Sequence, residues 1–257
     1  SCKHVFILII CLLMPRHCTS HTVFASKPFG RRLRSLVSSD FSCSCPFESF
    51  KLFRVLDILH INVGFTPLIC QLVYWRFLSV CTSSTKMSWE ISNLQNVETL
   101  LVRSCRGMQL PNTIWRLVRL RLLRIDWFWY FPLYNQEFRQ KAFKFNSLQT
   151  LSTPRLFFHD HKDIGKTLGA MPNLWKLSCI FLVSQDFSSK CNFLPVLDFL
   201  TRLESLNVVN HGQLLHYPFE FNFPQNIKKL NLSEFQLPWS AISSIGKLPN
   251  LEVLKSS

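Results

Sequence analysis

Acidic residues are scarce in this chain of 257 residues: Asp and Glu total 15 against 29 Lys and Arg, a formal charge of +14. That imbalance favours an acidic partner surface, a phosphate or an anionic membrane, and is a statement about partners and not about fold. Long apolar runs are lacking too. The run Val5–Met14 is too short to cross a bilayer, which excludes it as a transmembrane span. It has the length of a signal-peptide core, but the chain opens on Ser1 and the run is flanked by Pro15-Arg16-His17, which does not suit one. Residues 1–25 are left unassigned; a start on Ser1 is expected of a piece of a longer polypeptide or of an incomplete gene model. Only one glycosylation sequon occurs, Asn231-Leu-Ser233, which speaks against a secretory route and for a cytoplasmic one.

Paired metal ligands are lacking as well. Cys43-Ser-Cys45 has no second Cys or His pair at ligand spacing, and nothing near His159-Asp-His161 and Asp163 completes a set, so no metal is assigned. Gly165-Lys166-Thr167 has the tail of a phosphate-binding loop, yet the glycine required five residues earlier is Asp160, whose carboxylate would repel the ligand. The ten cysteines are scattered and read as buried free thiols in a reducing compartment.

What the chain has is leucine at fixed intervals. In Leu110–Ile125 the apolar residues recur as L-x-x-L-x-x-L-x-x-L-x-L. A strict spacing of three drifts off a helix face of period 3.6, and its final step of two is that of a strand. The pattern fits 3₁₀-like coil turning into a short strand, one unit of a leucine-rich repeat. With Leu120 as position 1 of L-x-x-L-x-L, that position recurs at Leu33, Phe53, Trp75, Val97, Leu120, Leu148, Leu174, Leu203, Ile227 and Leu251. Position 4 is leucine all ten times, from Leu36 to Leu254. Position 6 is apolar except at Ser38, Thr153 and Ser256, with Cys179 among its members. Cys105 falls at position 9, where such repeats carry Asn or Cys.

The expected fold is therefore an α/β solenoid over 26–257: a leucine-rich-repeat horseshoe with a parallel concave sheet of about ten short strands and an irregular or short-helical convex side. The aromatic run Trp127–Phe131 reads as filler in an insertion, followed by a short convex helix over 136–145. The final repeats stop within a strand, so the domain is expected to be truncated there and to need a neighbour or aggregate.

In such a strand positions 1, 4 and 6 point inward, while 3, 5 and 7 face the concave surface. The candidate partner-binding residues on that surface are Val55, Asp57, Phe77, Ser79, Thr99, Leu101, Arg103, Arg121, Leu122, Arg124 and Lys176. Among the outward residues no carboxylates adjoin, and no Ser, His and Asp converge. General acid–base or nucleophilic catalysis needs such groups held together in a pocket, so the chain is read as no enzyme. An apolar patch with a basic flank suits instead a protein partner with an acidic border. Specific nucleic-acid binding is not expected, because Arg116 and Arg119 precede the strand that carries Arg124 and the cations form no single stripe.

LPNTIWRLVRLRLLRI resembles the repeat of plant intracellular nucleotide-binding leucine-rich-repeat immune receptors. SKPFGRRLRSLV, FKLFRVLDI and LPWSAISSIGKLPNLEVLK are similar to the late blight resistance group of nightshades. The resemblance implies a domain that helps detect pathogen effectors or a host protein they target, and that restrains a nucleotide-binding switch. ATP or ADP would bind in a separate upstream domain and no cofactor in these repeats. The alternatives are a substrate-recruiting repeat domain of a ubiquitin-ligase adaptor and a non-functional receptor fragment.

Overall fold

The computed structural model describes residues 34–37, 52–62, 69–130, 145–157, 165, 167–182, 197–211, 223–235, 242–243 and 245–256. Several expectations fall outside these residues: the run Val5–Met14, Cys43 with Cys45, the helix up to residue 144, and His159 with His161 and Asp163.

One parallel sheet organises everything described. Its strands are β1 (Ser35–Val37), β2 (Val55–Asn62), β3 (Phe77–Thr82), β4 (Thr99–Ser104), β5 (Met108–Gln109), β6 (Leu122–Tyr130), β7 (Thr150–Phe157), β8 (Lys176–Leu182), β9 (Ser205–His211), β10 (Lys229–Ser233) and β11 (Val253–Ser256). They stack in chain order, with β5 alone off the main path, on the far half of β6. The register is the leucine frame itself: Leu36, Leu56, Leu78, Leu100 and Leu123 are successive cross-strand partners, and the series runs on through Leu151, Leu177, Leu206 and Leu230 to Leu254.

Position 4 is closed to water from β2 to β10. Leu78, Leu100, Leu123 and Leu151 are 0% exposed, as are Trp75, Val97, Leu174 and Leu203 at position 1. Burying each such side chain is worth about 1.5–3 kcal/mol, so the rungs supply the driving force for stacking. The spacing of three has its cause in the backbone. Leu117 N–H donates to the Ile114 carbonyl and Leu120 N–H to the Leu117 carbonyl, at 3.1 and 3.0 Å, so each apolar residue closes a three-residue turn. The same turns precede β4, β8 and β9, and 3₁₀ helices lie at Ile69–Gln71, Trp89–Asn93 and Asn112–Arg116. Pro111, with φ of −75°, starts the last of these, where its missing N–H costs nothing.

Three sequence readings are corrected. First, Trp127–Tyr130 is no insertion: β6 continues through it, and Trp129 and Tyr130 pair with Met108 and Gln109 of β5 on one side and Pro154 and Arg155 of β7 on the other. Among the described residues the sheet has eleven strands, the expected ten or so with the short β5 added beside β6. Trp129 is fully buried as expected of filler, and its Nε1 donates to the Ser152 carbonyl at 2.8 Å, but Trp127 is 59% exposed. Second, the missed rung at Thr153 marks a register shift between β7 and β8; Thr153 has φ of 63° and its hydroxyl donates to the Ile125 carbonyl.

Third, Cys105 is exposed and not a buried thiol. The buried polar residue of the repeat lies one place earlier, at Thr82, Ser104 and Asn210. Thr82 Oγ1 accepts from Ser84 N–H, Ser104 Oγ donates to the Arg106 carbonyl, and Asn210 Nδ2 donates to the Glu234 carbonyl. Alternation sends position 8 inward where the chain turns out of the sheet, and a buried backbone group there needs a polar side chain.

Candidate interaction surface

The outward residues form two parallel rows. Val55, Phe77, Thr99 and Leu122 are register partners on β2, β3, β4 and β6, and Asp57, Ser79, Leu101 and Arg124 are partners in the next row. Val55, Asp57, Phe77, Thr99, Leu101 and Leu122 are half-buried, so the apolar members present part of their surface without being free of their neighbours. Arg103 and Arg124 flank the patch and share one carboxylate: Asp126 lies 2.9 Å from Arg124 Nε and 3.7 Å from Arg103 Nε. Two guanidinium groups on one carboxylate leave a net positive charge beside the apolar rows.

Three of the expected contact residues sit elsewhere. Ser79 is 1% exposed: its short side chain is shaded by the larger register neighbours Asp57 and Leu101, so it offers no contact area. Arg121 precedes β6 and lines a groove at the rim of the sheet instead of the concave face, because it occupies position 2, where the chain has not yet entered the strand. Lys176 is exposed but stands on β8, two strands beyond Leu122, and extends the face without joining the patch.

Farther along, the face changes character. On β8, β9 and β10 the position 5 residues are Ser178, Asn207 and Asn231, joined side chain to side chain: Asn207 Nδ2 donates to Ser178 Oγ at 3.1 Å and Asn231 Nδ2 to Asn207 Oδ1 at 2.9 Å. Two further features escaped the sequence reading. Asparagines just before position 1 tie four of the repeats to the one before: Asn96 Nδ2 donates to the Val73 carbonyl and Asn250 Nδ2 to the Gln225 carbonyl, both at 2.9 Å, with Asn173 and Asn226 doing the same. The signal was available as N-V, N-L, N-I and N-L in LQNV, MPNL, PQNI and LPNL. Trp175, 51% exposed on the rim, was missed: it stands at position 2, and the outward set was built on positions 3, 5 and 7 with Arg121 the one position 2 residue included.

Among the described residues the titratable groups in the interior are thiols. Burial pushes Cys70 from 9.0 up to about 12, with nearby Glu90 adding to the shift, and burial alone raises Cys179. Cys81 is raised chiefly by burial and then by Cys105, against a lowering effect of Arg103. Among the described residues no cluster of three or more His, Cys, Asp or Glu could hold a metal ion. Gly165 and Thr167 lie in a helical turn with Thr167 3% exposed, which does not fit a hydroxyl presented to a nucleotide. No helix among the described residues is long and apolar enough to cross a membrane.

A sheet of stacked leucine rungs with a broad open face defines a leucine-rich-repeat recognition domain. The chain belongs to the leucine-rich repeat region family, whose profile matches residues 32–257. It is 34% identical over 231 residues to the late blight resistance protein homologue R1B-14 of Solanum demissum, and 35% identical over 240 residues to R1B-8 of the same species. These matches cover 86% and 90% of this chain but 16% and 19% of the two relatives, so the chain spans less than a fifth of their length. Among solved structures, a leucine-rich-repeat protein of Leptospira interrogans superposes with a TM-score of 0.55 at 19% identity, over 82% of this chain and 50% of that one, a likeness of fold. The chain is thus related to plant late blight resistance proteins, as the resemblance of its repeats implied.

Proposed function

We propose that this chain is the protein-recognition domain of an intracellular plant immune receptor, contributing to pathogen-effector sensing and to the restraint of a nucleotide-binding switch elsewhere in the receptor. It acts in the cytoplasm and is non-catalytic; ATP or ADP belongs to the switch and not to these repeats. The observation that carries the reading is the concave patch of Val55, Phe77, Leu101 and Leu122 beside the Arg103–Asp126–Arg124 cluster. A half-buried apolar centre with a cationic flank suits a partner that has an apolar protrusion bordered by carboxylates. The switch domain of the same receptor and an effector, or the host protein an effector targets, would compete for it.

The test is co-precipitation of this chain with the nucleotide-binding half of a Solanum demissum late blight homologue supplied in trans. Arg124→Glu, and Arg124→Glu combined with Leu101→Asp, should lower recovery at least tenfold while circular dichroism stays that of the parent. Undiminished recovery with both variants would remove the concave patch from the account.

A further inference from the structure

Along the rim where the strands begin, the structure carries a groove of about 880 Å³ running from Arg121 before β6 to Asn250 before β11. It lies between the residues just before position 1 and those at position 2, so it is separate from the concave patch and its reading does not depend on it. Its floor is main chain already satisfied within the sheet: Trp175 N–H and Lys176 N–H both donate to the Gln149 carbonyl, and Glu204 N–H and Ser205 N–H to the Trp175 carbonyl. An occupant therefore cannot add a strand here and must be held by side chains.

Trp175 stands midway, 51% exposed, just before β8, one strand from Arg202 before β9 and two from Arg121 before β6. At a strand spacing of about 4.8 Å, the backbones at Arg121 and Trp175 stand roughly 10 Å apart along the groove. Arg121 and Arg202 have no carboxylate partner among the described residues. The lone acid of the groove, Glu204, is held by Lys228 at 3.1 Å. The groove thus offers an open indole between two uncompensated guanidinium groups. Asn173, Asn226 and Asn250 have committed their Nδ2 groups to carbonyls of the preceding repeats, which leaves their oxygens as acceptors along the edge.

We infer that this rim groove is a second interaction site, which takes an extended acidic peptide segment with a proline or aromatic residue laid on Trp175 and carboxylates on Arg121 and Arg202. Six repeats at the sheet spacing give a track roughly 24 Å long, the reach of about seven extended residues. An indole face favours a flat ring, and an arginine fork favours a carboxylate. A single-stranded nucleic acid fits less well, since successive bases need successive stacking platforms and this groove has one aromatic and an acid in its wall.

The experiment uses the whole chain and fluorescence anisotropy of labelled probes: a hexapeptide with two prolines between paired acidic residues, its counterpart with lysines for the acids, and an oligothymidylate of about nine bases. The acidic probe should bind, weaken with salt, and weaken at least fivefold on Trp175→Ala and again on Arg202→Glu, while Arg124→Glu on the concave face leaves it unchanged. Each of these residues is at the surface, so an unchanged melting curve confirms an intact fold. The inference is overturned if the acidic probe does not bind, if the lysine probe or the oligothymidylate binds more tightly, if both rim variants bind as the parent does, or if Arg124→Glu weakens binding as much as they do.

Discussion

The two ends of the sheet share one interior and differ in what they show to solvent. From β2 to β6 the outward rows carry Val55, Phe77, Leu101 and Leu122 with arginines beside them; from β8 to β10 they carry Ser178, Asn207 and Asn231 linked into a hydrogen-bonded ladder. Inward, both ends place leucine at position 4 with 0–1% exposure. The inward code is thus common to both ends, while the outward residues differ between them. The apolar half leaves surface for another molecule to cover, whereas the polar half has satisfied much of its own hydrogen bonding.

The strongest way to break this comparison is to attack the shared interior. Leu100→Ala in β4 and Leu206→Ala in β9 should each cost about 2–5 kcal/mol in urea unfolding, since both leave a cavity in a closed core. Leu254→Ala in β11, where the leucine is 38% exposed, should cost under about 1 kcal/mol. A large gap between Leu100 and Leu206 would mean that the two ends do not share a core code.

Alkaline unfolding samples both halves through Cys70 and Cys179. Each thiol is raised in the folded chain, so at high pH the unfolded state binds fewer protons and stability falls with rising pH. Stability should hold up to about pH 8 and decline from about pH 9 toward 12, on the order of 1 kcal/mol per pH unit per thiol. Cys70→Ala and Cys179→Ala should each make the slope shallower, measured as chemical denaturation between pH 8 and 11. Cys105, being exposed, should react with a thiol reagent in the native chain well before either.

The ladder itself is the next test. Asn207→Ala strands partners on both sides and should cost about 1–2 kcal/mol, whereas Ser79→Ala, at the same position of the apolar half, should stay within about 0.5 kcal/mol because the Ser79 hydroxyl has no hydrogen-bond partner among the described residues. Trp127→Gly has the opposite sign: relieving φ of 80° at a residue 59% exposed should stabilise the fold by about 0.5 kcal/mol. Smallest of all, Arg76→Ala removes a 3.5 Å pair with Glu98 at the surface and should change stability by less than about 0.5 kcal/mol.

The sequence by itself determined the rungs. Leucine at position 4 with apolar residues at 1 and 6 has one arrangement that buries them all, and the spacing of three has one local form, so register and convex turns were legible from Leu36 to Leu254. Only the tertiary structure decided which outward residues are reachable. Ser79 is buried by its register neighbours, Arg121 belongs to the rim, and Trp127–Tyr130 extends a strand because β5 and β7 are there to receive it. Exposure is a property of what stands beside a residue across strands, some twenty to thirty positions away in the chain, and no local pattern carries it.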